Sequence, residues 1–483
     1  MLSKFERSTP EAEGVSSKGL KACLDRLCKL AGDDQMNSFM VLRHGKVIHE
    51  NYWRPYNAEL PHMLFSLSKS FTSTAVGLAI SEGLFGLDDH VTDLFADKMP
   101  AVIGDHLKEM TVRHLLTMSC GQKMCYAAQM KVEGVQDWQK AFFEKEIPYK
   151  PGTTFVYNSL GTYMLSALVT RKTGLNLVDY LMPRLFEPLG IARPVWETCP
   201  AGISTGGWGL YLRTEDIAKF GELCLCKGKW NGRQLVPAEW IEMATSKQID
   251  NSNHGVLDWA QGYGFQFWRC QPEGVYRGDG AYGQYCIVMP KQDMVIAITS
   301  SVGNMQALLT AIWEKLLPAV QDSPLPENAA DAAALYDASR NLEIRRPVGG
   351  GGCSADLLSG EYAIDDNSYG IKTIRFSFEK TGCYVTLGKT DGTSVTLAFG
   401  RERDGWRYNA ANWYPDTDGK SSAGVAAWTA NGVLTLLLCC VESPFRIQLK
   451  CRNLADGTLE IEAAKNFCFF GAPQWPKLIG HRI

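Results

Sequence analysis

The sequence has no run of basic residues, no apolar segment long enough for a bilayer and no regular cysteine spacing, and each absence removes a class of function. Lysines and arginines number 49 against 52 aspartates and glutamates, a formal net charge of -3 that leaves no polyanion-binding footprint, so nucleic acid is not an expected partner. The longest apolar run towards the carboxy end, Val433 to Val441, falls well short of the ~20 residues of a membrane span and reads as a buried strand. Met1 to Ser8 carries charges where a signal peptide needs an apolar core. The expectation is a cytoplasmic protein with no membrane partner. Its 15 cysteines are scattered from Cys23 to Cys468, and without an export signal they are expected to be reduced thiols, many of them buried. Only Cys224-Leu225-Cys226 and Cys439-Cys440 lie close together. Neither has a second pair or a histidine cluster at zinc spacing, so no metal and no cofactor are expected.

What the chain does have is length and an ordinary globular composition. Its 483 residues, 45% hydrophobic and 21% charged, suffice for two or more sizeable cores. Ser16 to Leu30 has amphipathic helical spacing, and Ser38–Arg43 and Lys46–Tyr52 read as two strands joined at His44-Gly45. A helical, loop-rich stretch follows to about Gly202. Strand character returns in Gln284–Met289 and Met294–Ile298, linked through Pro290-Lys291-Gln292-Asp293, and Met305 to Leu316 closes as a helix. This order predicts an α/β layer with a helical insertion over residues 1–322. From Ser323 to Gly352 the composition turns to proline, alanine and then four glycines, which marks a linker. Beyond it Thr373–Glu379, Cys383–Leu387, Ser394–Phe399, Val433–Val441 and Phe445–Leu449 alternate with turn signals and predict a separate antiparallel β-barrel domain over residues 353–483.

One short stretch carries chemistry. Phe65 to Ala75 sets Ser66 and Lys69 three residues apart at the head of an expected helix running to about Glu82-Gly83, so the two share a face. A serine hydroxyl attacks well only when a neighbouring base removes its proton, and Lys69 can be that base if burial lowers its pKa. A capping serine followed by a solvated lysine gives the same spacing. Tyr157, in Pro151 to Tyr163, reads by itself as an aromatic residue at a loop–helix junction. Other patterns fail on context. Gly278 to Gly283 spells a dinucleotide fingerprint, but a strand follows where a helix is needed. Gly202-Ile203-Ser204-Thr205-Gly206 lacks the flanking strand and helix of a nucleophile elbow. Lys172-Thr173-Gly174 reads as a helix end, and Lys380-Thr381-Gly382 as a hairpin turn.

Taken in order, Ser66-Leu67-Ser68-Lys69, Tyr157-Asn158-Ser159 and a glycine-rich segment entering a strand resemble the serine β-lactamase and penicillin-binding protein superfamily, closest to class C β-lactamase-related hydrolases and esterases. The resemblance spans most of residues 8 to 320 and takes in Ser8–Glu11, Gly14–Ser16, Gly86–Asp89, Pro151–Thr153, Phe186–Gly190 and Thr205–Gly207. It implies an antiparallel sheet flanked by helices with an all-helical subdomain. It also implies a Ser66 acyl-enzyme, Lys69 and Tyr157 as the base system, and an oxyanion hole from the amides of Ser66 and Ala281. Asn158, Ser159, Asp279 and Gly280 are the implied substrate contacts. Two departures stand out: Ser159 replaces the usual asparagine, and Gly278-Asp279-Gly280 lacks the basic residue that receives a β-lactam carboxylate, while Asp279 would repel an anion. Both favour an esterase or amidase acting on a small neutral or cationic molecule, with a D-aminopeptidase, a weak β-lactamase or a non-catalytic ligand-binding protein as alternatives. The carboxy-terminal domain resembles the lipocalin-like barrel of some of these hydrolases and would either roof the site or buttress the fold.

Overall fold

The computed structural model describes residues 4–350, 357–380, 382–401, 405–413, 421–429, 432–468 and 474–483. Thr381, Gly351, Gly352 and the expected boundary at 353 lie outside the described residues. Six strands form the first sheet: β1 (Gln35–Arg43), β2 (Lys46–Tyr52), β3 (Trp268–Arg269), β4 (Tyr276–Gly280), β5 (Gln284–Met289) and β6 (Met294–Ser301), in the order β2-β1-β6-β5-β4-β3 and antiparallel throughout. The central strands read as continuous apolar runs because both faces are covered. On β1, Phe39 and Val41 face one core and Met40 and Leu42 the other, as the two-residue period of a strand requires.

The face carrying Met40 and Leu42 packs against α2 (Ser68–Ser81) and α4 (Thr214–Leu225), with α3 (Ser159–Thr173) packed on α2; the opposite face packs against α1 (Ser17–Cys28) and α5 (Met305–Ala311). Helix α2 is buried on all sides, and two of its hydroxyls reach carbonyls of the surrounding loops: Ser70 Oγ donates to Gln266 O at 2.9 Å and Thr72 Oγ1 to Gly206 O at 2.8 Å. Short polar side chains let the surrounding loops approach this helix closely.

The stretch expected to be a linker is more ordered than its composition suggested. Its alanine-rich part forms α6 (Ala329–Ser339), capped by Asn328 and packed on the second core through Leu335, and Ile344 N donates to Arg54 O at 2.8 Å. Alanine is the best helix former, and that propensity outweighed the flanking prolines.

Ten strands follow: β7 (Gly360–Ile364), β8 (Ile371–Glu379), β9 (Gly382–Lys389), β10 (Ser394–Arg401), β11 (Arg407–Asn409), β12 (Ser422–Thr429), β13 (Val433–Cys439), β14 (Arg446–Asn453), β15 (Leu459–Lys465) and β16 (Leu478–Arg482). Nine of them close a barrel, β10-β9-β8-β7-β16-β15-β14-β13-β12, through a parallel β10–β12 pair, and β11 adds to the edge of β12. The closure therefore differs from the eight antiparallel strands of a lipocalin barrel. Ile374, Phe376, Leu397, Phe399, Leu436, Ile447, Leu449 and Ile461 fill the interior.

Candidate active site

Ser66 lies on a single 3-10 turn (Phe65–Leu67) that leads directly into α2, so its backbone N–H is among the unpaired first amides of the helix. Phe65 before it has φ 48°, a left-handed conformation unusual for a bulky residue, and this sharp turn leaves Ser66 half-buried and outward-facing while Leu64 and Leu67 are fully buried. One helical turn on, Lys69 is 1% exposed. Its Nζ sits 2.9 Å from Ser66 Oγ, 3.0 Å from Ser159 Oγ and 2.6 Å from Gly207 O. Three oxygens thus surround a nitrogen with three donors. Burial drives the Lys69 pKa down to about 7, against the upward pull of Cys125 and Asp279.

Tyr157 closes the other side. Its ring centroid lies 4.9 Å from Lys69 Nζ, and its hydroxyl bonds Ser66. Burial raises the phenol pKa, so the group stays neutral at physiological pH. An aromatic wall fixes the ring: Trp268 stacks on it at 5.4 Å and His254 lies against it at 6.0 Å. Ser66, Lys69, Tyr157 and Ser159 therefore meet at one point.

The remaining residues of the expected site are placed differently from one another. Asn158 is 1% exposed; its Oδ1 accepts from Leu160 N at 3.0 Å and its Nδ2 donates to Gln122 Oε1 at 2.8 Å. The Asn158 amide thus caps α3 and holds Gln122. Asp279 is 7% exposed, and its Oδ2 accepts from Arg277 Nε at 2.9 Å, so its charge is paired with that of a buried guanidinium. Burial raises its pKa while Arg277 opposes that. The missing cation of this strand has a steric reason as well. A Cβ on Gly278 would lie 2.3 Å from Leu67 Cδ1, and one on Gly280 would lie 2.1 Å from Leu64 O. These two glycines let β4 lie directly on the nucleophile turn, with Arg277 and Asp279 on the other face of the strand.

The lookalike motifs settle as their contexts required. Gly278 to Gly283 runs strand, turn, strand, and Gly174 at φ 74° ends α3. Gly207 was only a landmark in the sequence, yet its carbonyl holds the lysine. His254 and Trp268 have no sequence signal, since they come from a loop and from β3, both more than ninety residues away from Tyr157. Among the described residues no group of three or more His, Cys, Asp or Glu could hold a metal ion, and no helix is long and apolar enough to cross a membrane.

A family model described as Beta-lactamase matches residues 33–317. The chain belongs to the beta-lactamase family. Curated relatives of this beta-lactamase-family chain include a 6-aminohexanoate-dimer hydrolase of Paenarthrobacter ureafaciens, 25% identical over 62% of this chain and 81% of the relative, and penicillin-binding protein 4 of Amycolatopsis lactamdurans, 23% identical over 56% and 79%. Among solved structures, EstCE1, a hydrolase with promiscuous acyltransferase activity, superposes with a TM-score of 0.51 at 16% identity, over 61% of this chain and 98% of its own. That likeness is one of fold.

Proposed function

We propose that this chain hydrolyses a small neutral or cationic ester or amide through an acyl-enzyme on Ser66. The observation that carries the reading is the buried Lys69 amine held by Ser66 Oγ, Ser159 Oγ and Gly207 O. With its pKa brought to about 7, this amine is largely unprotonated just above neutrality and can accept a proton. Lys69 is then the base, and neutral Tyr157, bonded to Ser66, relays the proton. This choice follows from the two pKa directions: burial makes the lysine easier and the tyrosine harder to deprotonate.

In the first step Ser66 Oγ bonds to the substrate carbonyl carbon and its proton passes to Lys69. The carbonyl oxygen becomes an oxyanion held by the amides of Ser66 and Ala281. The C–O or C–N bond to the leaving group breaks as that group takes the proton back through Tyr157. Water then attacks the Ser66 ester along the same route, releasing the acid and restoring the hydroxyl. Because Arg277 is spent on Asp279, β4 offers no cation for a substrate carboxylate, which weighs against a penicillin as the natural substrate.

Intact-mass analysis after a fluorophosphonate should show one adduct that disappears in Ser66→Ala; an unmodified wild-type chain would sink the reading. A panel of p-nitrophenyl esters, D-amino acid amides, nitrocefin and the 6-aminohexanoate dimer then ranks substrate classes, with esters or amides turned over faster than nitrocefin.

A further inference from the structure

The two residues that flank the proposed oxyanion hole share an unusual backbone. Phe65 precedes the Ser66 amide with φ 48°, and Tyr282 follows the Ala281 amide with φ 63°. Bulky residues hold that conformation only where their surroundings enforce it. Catalytic-domain bonds hold the Tyr282 carbonyl, which accepts from Ser300 Oγ at 2.7 Å and Val302 N at 3.1 Å, while the two rings are met from the other domain. The loop between β13 and β14 is pinned to the catalytic domain at three points: Met63 N donates to Glu442 O at 2.7 Å, Tyr56 Oη to Ser443 O at 2.9 Å, and Ser301 Oγ to Pro444 O at 2.7 Å. It thereby delivers Phe445, only 2% exposed, edge-on to Phe65 at 6.1 Å and to Tyr282 at 5.8 Å. Phe65 and Tyr282 meet each other edge-on at 5.6 Å, and Phe467 stacks on the far side of the cluster against Tyr282 at 4.9 Å. Edge-to-face rings at these separations attract and resist rotation, so the four form one rigid body.

We propose that the barrel is a working part of the oxyanion hole. Phe445, assisted by Phe467, is a positioning residue that holds Phe65 and Tyr282, and through them fixes the spacing of the Ser66 and Ala281 amides. The inference rests on the Ser66 acyl-enzyme reading and assigns the second domain a part in it. A barrel that only roofs the site would act on substrate size; a barrel that only buttresses the fold would act on stability. Control of the amide spacing acts on the chemical step.

Phosphonylation isolates that step, because the reagent's phosphoryl oxygen occupies the hole while Ser66 Oγ bonds phosphorus and fluoride leaves. In the full-length chain, Phe445→Ala should lower kinact roughly 10- to 100-fold, the cost of misplacing reacting groups by about an ångström, with KI unchanged and the loss equal for small and bulky phosphonates. Phe445→Leu should recover most of the rate. A folded Phe445→Ala that labels at the wild-type rate, or loses only KI or only bulky reagents, overturns the proposal. Should Phe445→Ala fail to fold, Phe467→Ala at the half-buried end of the cluster carries the same test, with a smaller loss in kinact expected and an unchanged kinact contradicting it. A wild-type chain that takes no label removes the Ser66 reading and this proposal together, whereas a labelled wild type with an equally fast Phe445→Ala removes this proposal alone.

Discussion

On one side of Ser66 the proposed base is held by the catalytic domain: Lys69 Nζ rests on oxygens from α3 and the Thr205–Gly207 loop, and Asn158 anchors that region by capping α3. On the other side, where the proposed oxyanion hole lies, the rings of Phe65 and Tyr282 are met by rings from the barrel. The first arrangement uses short hydrogen bonds among buried polar atoms; the second uses ring packing across two domains. Hydrogen bonds fix a proton path to a few tenths of an ångström, and a buried polar set of this kind fails outright when one member is lost. Ring packing degrades gradually as atoms are removed. The two sides should therefore break differently.

The largest effect belongs to the hydrogen-bonded side. Ser66→Ala should cost about 10⁶-fold in turnover, leaving only background hydrolysis in a steady-state assay. Lys69→Met should cost about 10²- to 10⁴-fold, and Lys69→Arg should not rescue it, since a guanidinium does not deprotonate in the working range. Next comes the strand between the two sides. Asp279→Ala leaves the buried Arg277 without its carboxylate and should lower stability by about 3–5 kcal/mol in urea unfolding. The smallest effect is expected at Asn158→Ala. Loss of the α3 cap and the Gln122 bond should cost about 1–2 kcal/mol of stability with KM unchanged, whereas a large rise in KM would restore Asn158 to the substrate.

The same contrast governed what the sequence disclosed. The proximity of Ser66 and Lys69 is legible because a helical turn brings residues three apart together, whereas Tyr157 and Ser159 stand out only through the family resemblance of their motif. Strands β2 and β5 have the bounds their apolar runs suggested. The partner of Asn158 is not legible, because no local pattern shows that Gln122, thirty-six residues earlier, takes up its amide. The ion pair of Asp279 with Arg277 joins two residues two apart that share a strand face. Phe445 lay unnoticed in a strand-like run: its contacts with Phe65 and Tyr282 span 380 and 163 residues of chain, and no local pattern encodes them. The barrel strands β7, β11, β12, β15 and β16 were missed for a related reason. Their short or alanine- and glycine-containing segments carry weak strand propensity and are held by neighbours in the closed sheet.

The claim on which the rest depends is that Lys69, brought to a pKa of about 7 by burial, takes the Ser66 proton. A lysine with a lowered pKa loses its proton as pH rises through that value, so the reactive form is the one above it. The direct measurement is the rate of Ser66 phosphonylation between pH 5 and pH 9. The expected profile rises about tenfold per pH unit below 7, levels above it, and loses that inflection in Lys69→Met. A rate that is flat across the range, or an inflection near 7 that persists in Lys69→Met, would contradict Lys69 as the base.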